Sequence, residues 1–166
     1  MDKQDEYIGS QIKKYRSLRF YSQDRLAEEV GLTKQIISRI EKTSTKEVLS
    51  RLKESGLQSI PGAGAEILVD SVKDVISPKK ISSADWIRIM DEAHSLDIPA
   101  SATMMYGHVE NNDDIVDHFF KIVKLQEKTN GFMAFIPWNF EPNNTLMQEE
   151  KLVEYGTGGT QLLKMI

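Results

Sequence analysis

Three short runs of the chain carry side chains whose types and spacing suit ligand binding. The first run is PGAGAE, where Gly62 and Gly64 let a backbone approach a ligand closely and Glu66 can accept hydrogen bonds from hydroxyl groups. His108 and Glu110 stand two residues apart, so they could together orient a polar substrate or move a proton. Trp138 offers an aromatic face to a planar ligand. The structural alternative is a helix first turn for Glu66 and loop-capping hydrogen bonds for His108 and Glu110.

Each of these runs follows a predicted strand. The patterning predicts strands over Leu57–Ile60, Ala100–Tyr106 and Phe132–Trp138, with helices between them. Alternating strands and helices predict an α/β fold with a parallel sheet or part of a barrel. In such folds ligands bind at the carboxyl ends of the strands, which is where the three runs lie. The last residues, TQLLKMI, are predicted to begin a further helix.

Residues 1–44 follow a different pattern, that of a small all-α segment. Ser22 and Thr33 are predicted N-caps of two short helices, and Gly31 suits the left-handed residue that ends the first of them. Two short helices joined by a glycine turn form a helix-turn-helix. The segment carries nine Lys/Arg and seven Asp/Glu, while residues 45–166 carry twelve and eighteen. We therefore expect two domains, 1–44 and 45–166.

Composition excludes several classes of protein. The chain has 166 residues, a net charge of -4, 40% hydrophobic residues and no cysteine. It therefore offers no disulfide, no thiolate nucleophile and no cysteine ligand for zinc or iron. No apolar run approaches the roughly 20 residues of a membrane helix, and no signal-peptide core opens the chain. We expect a cytoplasmic location and no membrane partner.

The run SQDRLAEEVGLTKQIISRIE resembles the XRE/Cro helix-turn-helix family of lambda-repressor type over about residues 7–42. The resemblance implies DNA as a partner, with the second helix of the pair in the major groove. Four residues would then face bases and one would hold a phosphate: Lys34, Gln35, Ser38 and Arg39, and Gln23, respectively. The alternative is that these are ordinary solvated polar side chains. The family has several helices after the recognition helix, whereas KTSTKEVLSRLKESGL offers one, which could cover either half of the chain.

The runs GLQSIPGAGAEILVDSVKDVISPKKISSADWIRIM, ATMMYGHVE and KLQEKTNGFMAFIPWNFEPNNT resemble dehypoxanthine futalosine cyclase, over about residues 46–166. That family consists of radical S-adenosylmethionine enzymes of menaquinone biosynthesis, and the IPW run favours it over the sister aminofutalosine synthases. The resemblance implies an incomplete (β/α) barrel of about three parallel strands. It also implies S-adenosylmethionine near Gly62, Gly64 and Glu66, and substrate near His108, Glu110 and Trp138. Ala63 stands where the family usually has a glycine.

The chain departs from that family in its cluster ligands. Such enzymes hold a 4Fe–4S cluster through a CxxxCxxC motif, and this sequence has no cysteine. We therefore expect no cofactor or metal in this chain and no turnover from it alone. Three hypotheses stay open: a truncated or rearranged relative of the cyclase, a DNA-binding regulator with a repurposed C-terminal module, and a gene fusion without an evolved function. The open edges of a three-stranded sheet further predict a homo-oligomer or a marginally folded chain, rather than a rigid monomer.

Overall fold

The computed structural model describes residues 7–153, in two compact units that divide between Leu57 and Gln58. The first unit is all-α, and its four helices are α1 (Tyr7–Leu18), α2 (Gln23–Glu29), α3 (Lys34–Ile40) and α4 (Thr45–Glu54). The predicted helix at 160–166 lies outside the described residues.

The helices of the first unit begin where hydroxyl side chains can cap them. Ser22 accepts a hydrogen bond from the Arg25 N–H, and Thr33 accepts one from the Ile36 N–H. Gly31 lies between α2 and α3 with φ +67°, a conformation that costs glycine little. The helix after α3 packs with the first unit, where α4 contacts α1 and buries Leu49. This unit therefore extends beyond residue 44.

In the second unit, residues 58–153 form four helices and two strands in an alternating order. They are α5 (Asp70–Ile76), α6 (Ser83–Ser95), β1 (Ala100–Tyr106), α7 (Asn112–Thr129), β2 (Phe132–Asn139) and α8 (Leu146–Glu149). Ser82 caps α6 through the Asp85 N–H, and Asn111 caps α7 in a capping box with Asp114. The C-cap of α7 is Asn130, in the left-handed conformation with φ 48°.

The two strands are parallel and lie side by side. Ala100 is in register with Phe132 and Tyr106 with Asn139, with one irregularity between Ala100 and Ser101. The helices α6 and α7 both contact β1. This arrangement confirms the α/β prediction and is consistent with part of a radical S-adenosylmethionine barrel.

The predicted first strand, Leu57–Ile60, is wrong in its extent, so the described residues form two strands and not about three. Only Ile60 pairs with β1, through a single parallel bridge to Ala100. Pro61 follows at once and has no N–H to give to a ladder. Beyond it, the Thr103 hydroxyl donates to the Gly62 carbonyl at 2.6 Å, and the Gly62 N–H donates to the Ser101 hydroxyl at 3.0 Å. Side-chain hydrogen bonds thus replace backbone pairing along this edge of β1.

The core of the second unit lies between β1 and its helices. Its buried members come from four parts of the chain: Ala65, Leu68, Trp86, Met90, Ala100, Ala102, Ile122 and Leu125. β1 is buried along most of its length, whereas β2 exposes Met133 and Ile136. β1 is therefore the central strand, and β2 forms an open edge.

Gly62 is the position where this packing leaves no room for a side chain. A Cβ there would lie 2.3 Å from the Ser101 carbonyl oxygen. We expect Gly62→Ala to lower the free energy of unfolding by about 3 kcal/mol, because the backbone of β1 cannot move aside cheaply. Gly64→Ala is the comparison, since its Cβ meets nothing within 4 Å but its φ is +83°. That change should cost about 1 kcal/mol. Urea denaturation of both variants measures the difference, and equal costs would contradict the steric argument.

Candidate functional site

The segment from Gly62 to Glu66 lies along the edge of β1. Its start is fixed by Ser101 and Thr103, and its end by the Met105 N–H, which donates to the Glu66 carbonyl at 2.7 Å. The indole N–H of Trp86 donates to the Ala63 carbonyl at 3.3 Å. The glycine-rich run is therefore a firmly held loop beside the central strand.

Glu66 is buried and lies between two lysines. Its backbone is left-handed with φ 47°, and its carboxylate forms an ion pair with Lys80, whose side chain is half-exposed. The Lys73 ammonium is buried beneath the loop and donates to the carbonyls of Gly64, at 2.8 Å, and Ala65, at 3.2 Å. Burial lowers the pKa of Lys73, and the nearby Glu66 carboxylate opposes that shift. The predicted ligand carboxylate thus already has a cation beside it.

His118 is a buried polar residue of this region, on the inner face of α7. Its Nδ1 accepts a hydrogen bond from the Leu68 N–H at 2.9 Å, and its Nε2 has no partner among the described residues. Burial lowers the pKa of His118 to about 4, with help from the Lys121 and Lys73 charges. The imidazole is therefore neutral near pH 7 and fixes the backbone just after Glu66. The helical spacing of His118 with Ile122 and Leu125 is the signal that places it on the inner face of α7.

His108 and Glu110 form one buried hydrogen-bonded group after β1. The Glu110 carboxylate accepts from the backbone N–H groups of Gly107 and His108, and it lies 2.8 Å from the Nδ1 of His108. The Nε2 of His108 lies 3.1 Å from the Met105 carbonyl oxygen. Burial would raise the pKa of Glu110, but hydrogen bonds from His108 and from the backbone outweigh it and lower the pKa to about 2. The pair therefore makes the loop-capping hydrogen bonds that are the structural alternative to substrate binding. It also keeps a charged carboxylate at the end of β1.

Trp138 lies on β2 in register with Met105, and its ring is partly exposed. Phe135 belongs to the opposite face of β2 and packs against Phe119 of α7, with ring centroids 5.1 Å apart. The strand ends thus bring Glu66, Glu110 and Trp138 onto neighbouring segments, but no described contact joins the three side chains.

In the first unit the five residues predicted to face DNA line one surface depression. The cavity measures about 540 Å³, and the further residues around it are Lys42, Thr43 and Glu47. Lys34 pairs with Asp24 at 2.8 Å, and both side chains are exposed. Exposed pairs of this kind are weak, so Lys34 can exchange its partner readily.

A buried ion pair fixes Gln23 at the edge of this depression. The Arg16 Nε donates to the Glu41 carboxylate at 2.5 Å, and the Gln23 amide donates to the same carboxylate at 2.7 Å. These hydrogen bonds from Arg16 lower the pKa of Glu41, although burial opposes them. The network links α1, α2 and the end of α3, and so positions the helix pair.

The donor groups of this chain do not fit an iron–sulfur cluster. The sequence has no cysteine, and within residues 7–153 no three His, Asp or Glu side chains gather as metal ligands. No helix in that same part of the chain is both long and apolar enough to cross a membrane.

Comparison with known proteins identifies the family. The model of the radical SAM superfamily matches residues 8–122, so the chain belongs to that superfamily. The matched range begins inside α1 and therefore overlaps the segment that resembles a helix-turn-helix.

Two curated proteins are similar to about three quarters of this chain. The chain is 43% identical over 130 residues to 5-amino-6-(D-ribitylamino)uracil--L-tyrosine 4-hydroxyphenyl transferase 1 of Methanosarcina acetivorans, covering 77% of this chain and 35% of the relative. It is 43% identical over 122 residues to the aminodeoxyfutalosine synthase of Thermus thermophilus, covering 73% of this chain and 33% of that enzyme. The chain thus spans about a third of the length of these relatives.

The Glu110 carboxylate predicts a pH dependence of stability. A carboxyl whose pKa is lowered on folding stabilises the fold above its unfolded pKa, here 4.5, and loses this contribution as the pH falls through about 2. Over that interval the wild type should lose roughly 3 kcal/mol more than Glu110→Gln, an upper bound from the shift. Thermal unfolding from pH 6 to pH 2 measures the loss. Glu127→Gln, at an exposed position of α7, is the control and should follow the wild type.

Proposed function

We propose that the second unit is a cysteine-free member of the dehypoxanthine futalosine cyclase branch, which keeps a nucleoside-binding strand end but no cluster. The IPW run on β2, Ile136–Trp138, favours this branch over the aminodeoxyfutalosine synthases. The observation that carries the proposal is the loop Gly62–Glu66, which is fastened to the central strand and ends in a buried, charged carboxylate.

The chemistry of that loop suits the ribose of S-adenosylmethionine. Glu66 lies at the carboxyl end of the β1 edge, where a ribose hydroxyl can donate to its carboxylate. Lys80 is half-exposed and can give up its ion pair when a ligand arrives, because exposed ammonium groups are readily rehydrated. Trp138 would supply an aromatic face on the next strand for the base of a nucleoside-like substrate. His108 and Glu110 hold the loop between β1 and α7.

Radical chemistry is not assigned to this polypeptide on its own. In the family, the cluster binds the amino and carboxylate groups of S-adenosylmethionine and supplies the electron that starts the reaction. The residues of this chain offer no thiolate for that cluster. The chain's own part is to bind and orient, so its affinity for S-adenosylmethionine should be weak.

Anaerobic reconstitution with iron and sulfide tests this proposal. We expect no stoichiometric cluster by iron analysis and absorbance spectroscopy, because the ligands are missing. Equilibrium dialysis with labelled S-adenosylmethionine should detect weak binding that Glu66→Gln abolishes. Lys79→Ala, next to the residue that pairs with Glu66, is the control and should bind like the wild type. Binding that Glu66→Gln leaves unchanged would sink the proposed site, and a bound cluster would sink the cluster-free assignment.

A second candidate function is DNA binding by the first unit. The observation that favours it is that Gln23, Lys34, Gln35, Ser38 and Arg39 line a single depression around the start of α3. Lys and Arg suit guanine, and Gln suits adenine, in the major groove. Gln23, fixed by Glu41, would contact a phosphate and set the register.

DNA binding by the first unit predicts that substitutions in α3 weaken binding more than a substitution outside the depression. On a duplex selected from a random library by the wild-type chain, Lys34→Ala and Arg39→Ala should each weaken binding by about 1–3 kcal/mol. Lys14→Ala removes an exposed charge of α1 outside the depression and should have a small effect. Fluorescence anisotropy at several salt concentrations gives the affinities. If no duplex is enriched, or if all three variants bind alike, the depression is not a DNA interface.

A further inference from the structure

An apolar stripe lies uncovered along the middle of α7. Val116, Phe120 and Val123 follow each other at helical spacing and are 66%, 64% and 51% exposed. The opposite face of the same helix is buried through His118, Ile122 and Leu125. A helix that packs on one face needs no second apolar stripe for its own fold, so this stripe points to a partner.

One border of the stripe carries an ordered row of charges. The row runs Asp113, Asp117, Lys121, Lys124 and Lys128, at spacings of three or four residues. Its first half is acidic and its second half is basic. Asp117 forms an ion pair with Lys121, and Lys128 forms one with Asp91. The side chains of Asp117 and Lys128 are about half-exposed or more. Such pairs are weak and exchange readily.

The charges of this row complement those of a second, antiparallel copy of the same row. Two copies of α7 packed antiparallel across a two-fold axis place Phe120 against Phe120 of the other copy, and Val116 beside the other Val123. In the same register Asp117 faces Lys124 of the other copy, and Asp113 faces its Lys128. Antiparallel helices also oppose their macrodipoles favourably. A two-fold interface requires a surface that complements itself in this way.

The edge of β2 is a second uncovered surface among residues 7–153, and it suits a partner less well. The Phe140 N–H donates to the Tyr106 carbonyl, so alternate residues of β2 direct their backbone groups toward β1 and the intervening residues face outward. Pro137 is one of the outward-facing residues and has no N–H to donate. A pairing strand would therefore lack a hydrogen bond at the middle of this edge.

We propose that the chain forms a two-fold homodimer through antiparallel packing of α7 against α7. Burial of Val116, Phe120 and Val123 stabilises the dimer, and the charge row fixes its direction. The interface uses residues of the second unit alone and does not depend on either function proposed above.

Sedimentation velocity of the full chain over a range of concentrations tests the dimer. Phe120→Glu should raise the dissociation constant at least about tenfold, because it places a carboxylate at the centre of the apolar contact. Phe20→Glu is the matched control, since Phe20 is 94% exposed in the first unit, and it should dimerise like the wild type. Circular dichroism confirms that both variants are folded.

A charge-reversal cycle tests the direction of packing. Asp117→Lys and Lys124→Glu should each weaken the dimer, and the double variant should recover most of the wild-type affinity. No recovery in the double variant, or a dimer insensitive to Phe120→Glu, would place the contact elsewhere and overturn the proposal. A wild-type chain that stays monomeric overturns it as well, and assigns the stripe to another protein or to another part of the same chain.

Discussion

The second unit depends on how closely the segment after Ile60 approaches the central strand. Gly62 lies against the backbone of Ser101 with no space for a Cβ, and the hydroxyls of Ser101 and Thr103 bind its peptide groups. This contact sets where Ala65 and Leu68 enter the core and where Glu66 emerges at the end of the strand. It also replaces a regular first strand, because side-chain hydrogen bonds satisfy groups that a ladder would otherwise pair.

Charge is handled differently at the two strand ends. The Glu66 carboxylate forms an ion pair with Lys80, and the buried Lys73 ammonium binds the backbone of the same loop. Three ionic side chains therefore lie close together in a partly buried position. Glu110 accepts hydrogen bonds from His108 and from backbone N–H groups. These hydrogen bonds lower the pKa of its carboxyl group. The first arrangement can exchange a partner for a ligand, whereas the second has both carboxylate oxygens occupied within its own loop. In the proposed function, Glu66 therefore has the binding role and His108 and Glu110 have a positioning role.

The chain belongs to the radical SAM superfamily, and DNA binding by its first unit is a separate proposal. Its family is that of radical S-adenosylmethionine enzymes, yet its residues contain none of the thiolates on which their chemistry depends. Its first unit has a capped helix pair with polar and basic residues around one depression. A homodimer formed through α7 would carry two copies of this unit, and helix-turn-helix proteins commonly read paired half-sites as dimers. A binding function for each unit is therefore compatible with the absence of cluster ligands.

The sequence by itself determined the elements that local chemistry controls. Ser22 and Thr33 cap the helices that follow them, as predicted, because a short polar side chain satisfies the free N–H groups of a first turn wherever it stands. The strand Ala100–Tyr106 was predicted with its observed bounds, and Gly107 follows at its end.

Only the tertiary structure decided what depends on neighbours distant in the sequence. The hydrogen bonds that hold the Gly62 peptide groups against β1 come from the side chains of Ser101 and Thr103, about forty residues away. The pairing of Glu66 with Lys80, the contact of His118 with the Leu68 N–H and the choice of α4 to pack with α1 are likewise decided by which surfaces meet. The spacing of residues along a helix or strand shows which of them share a face. It does not show which other segment of the chain packs against that face.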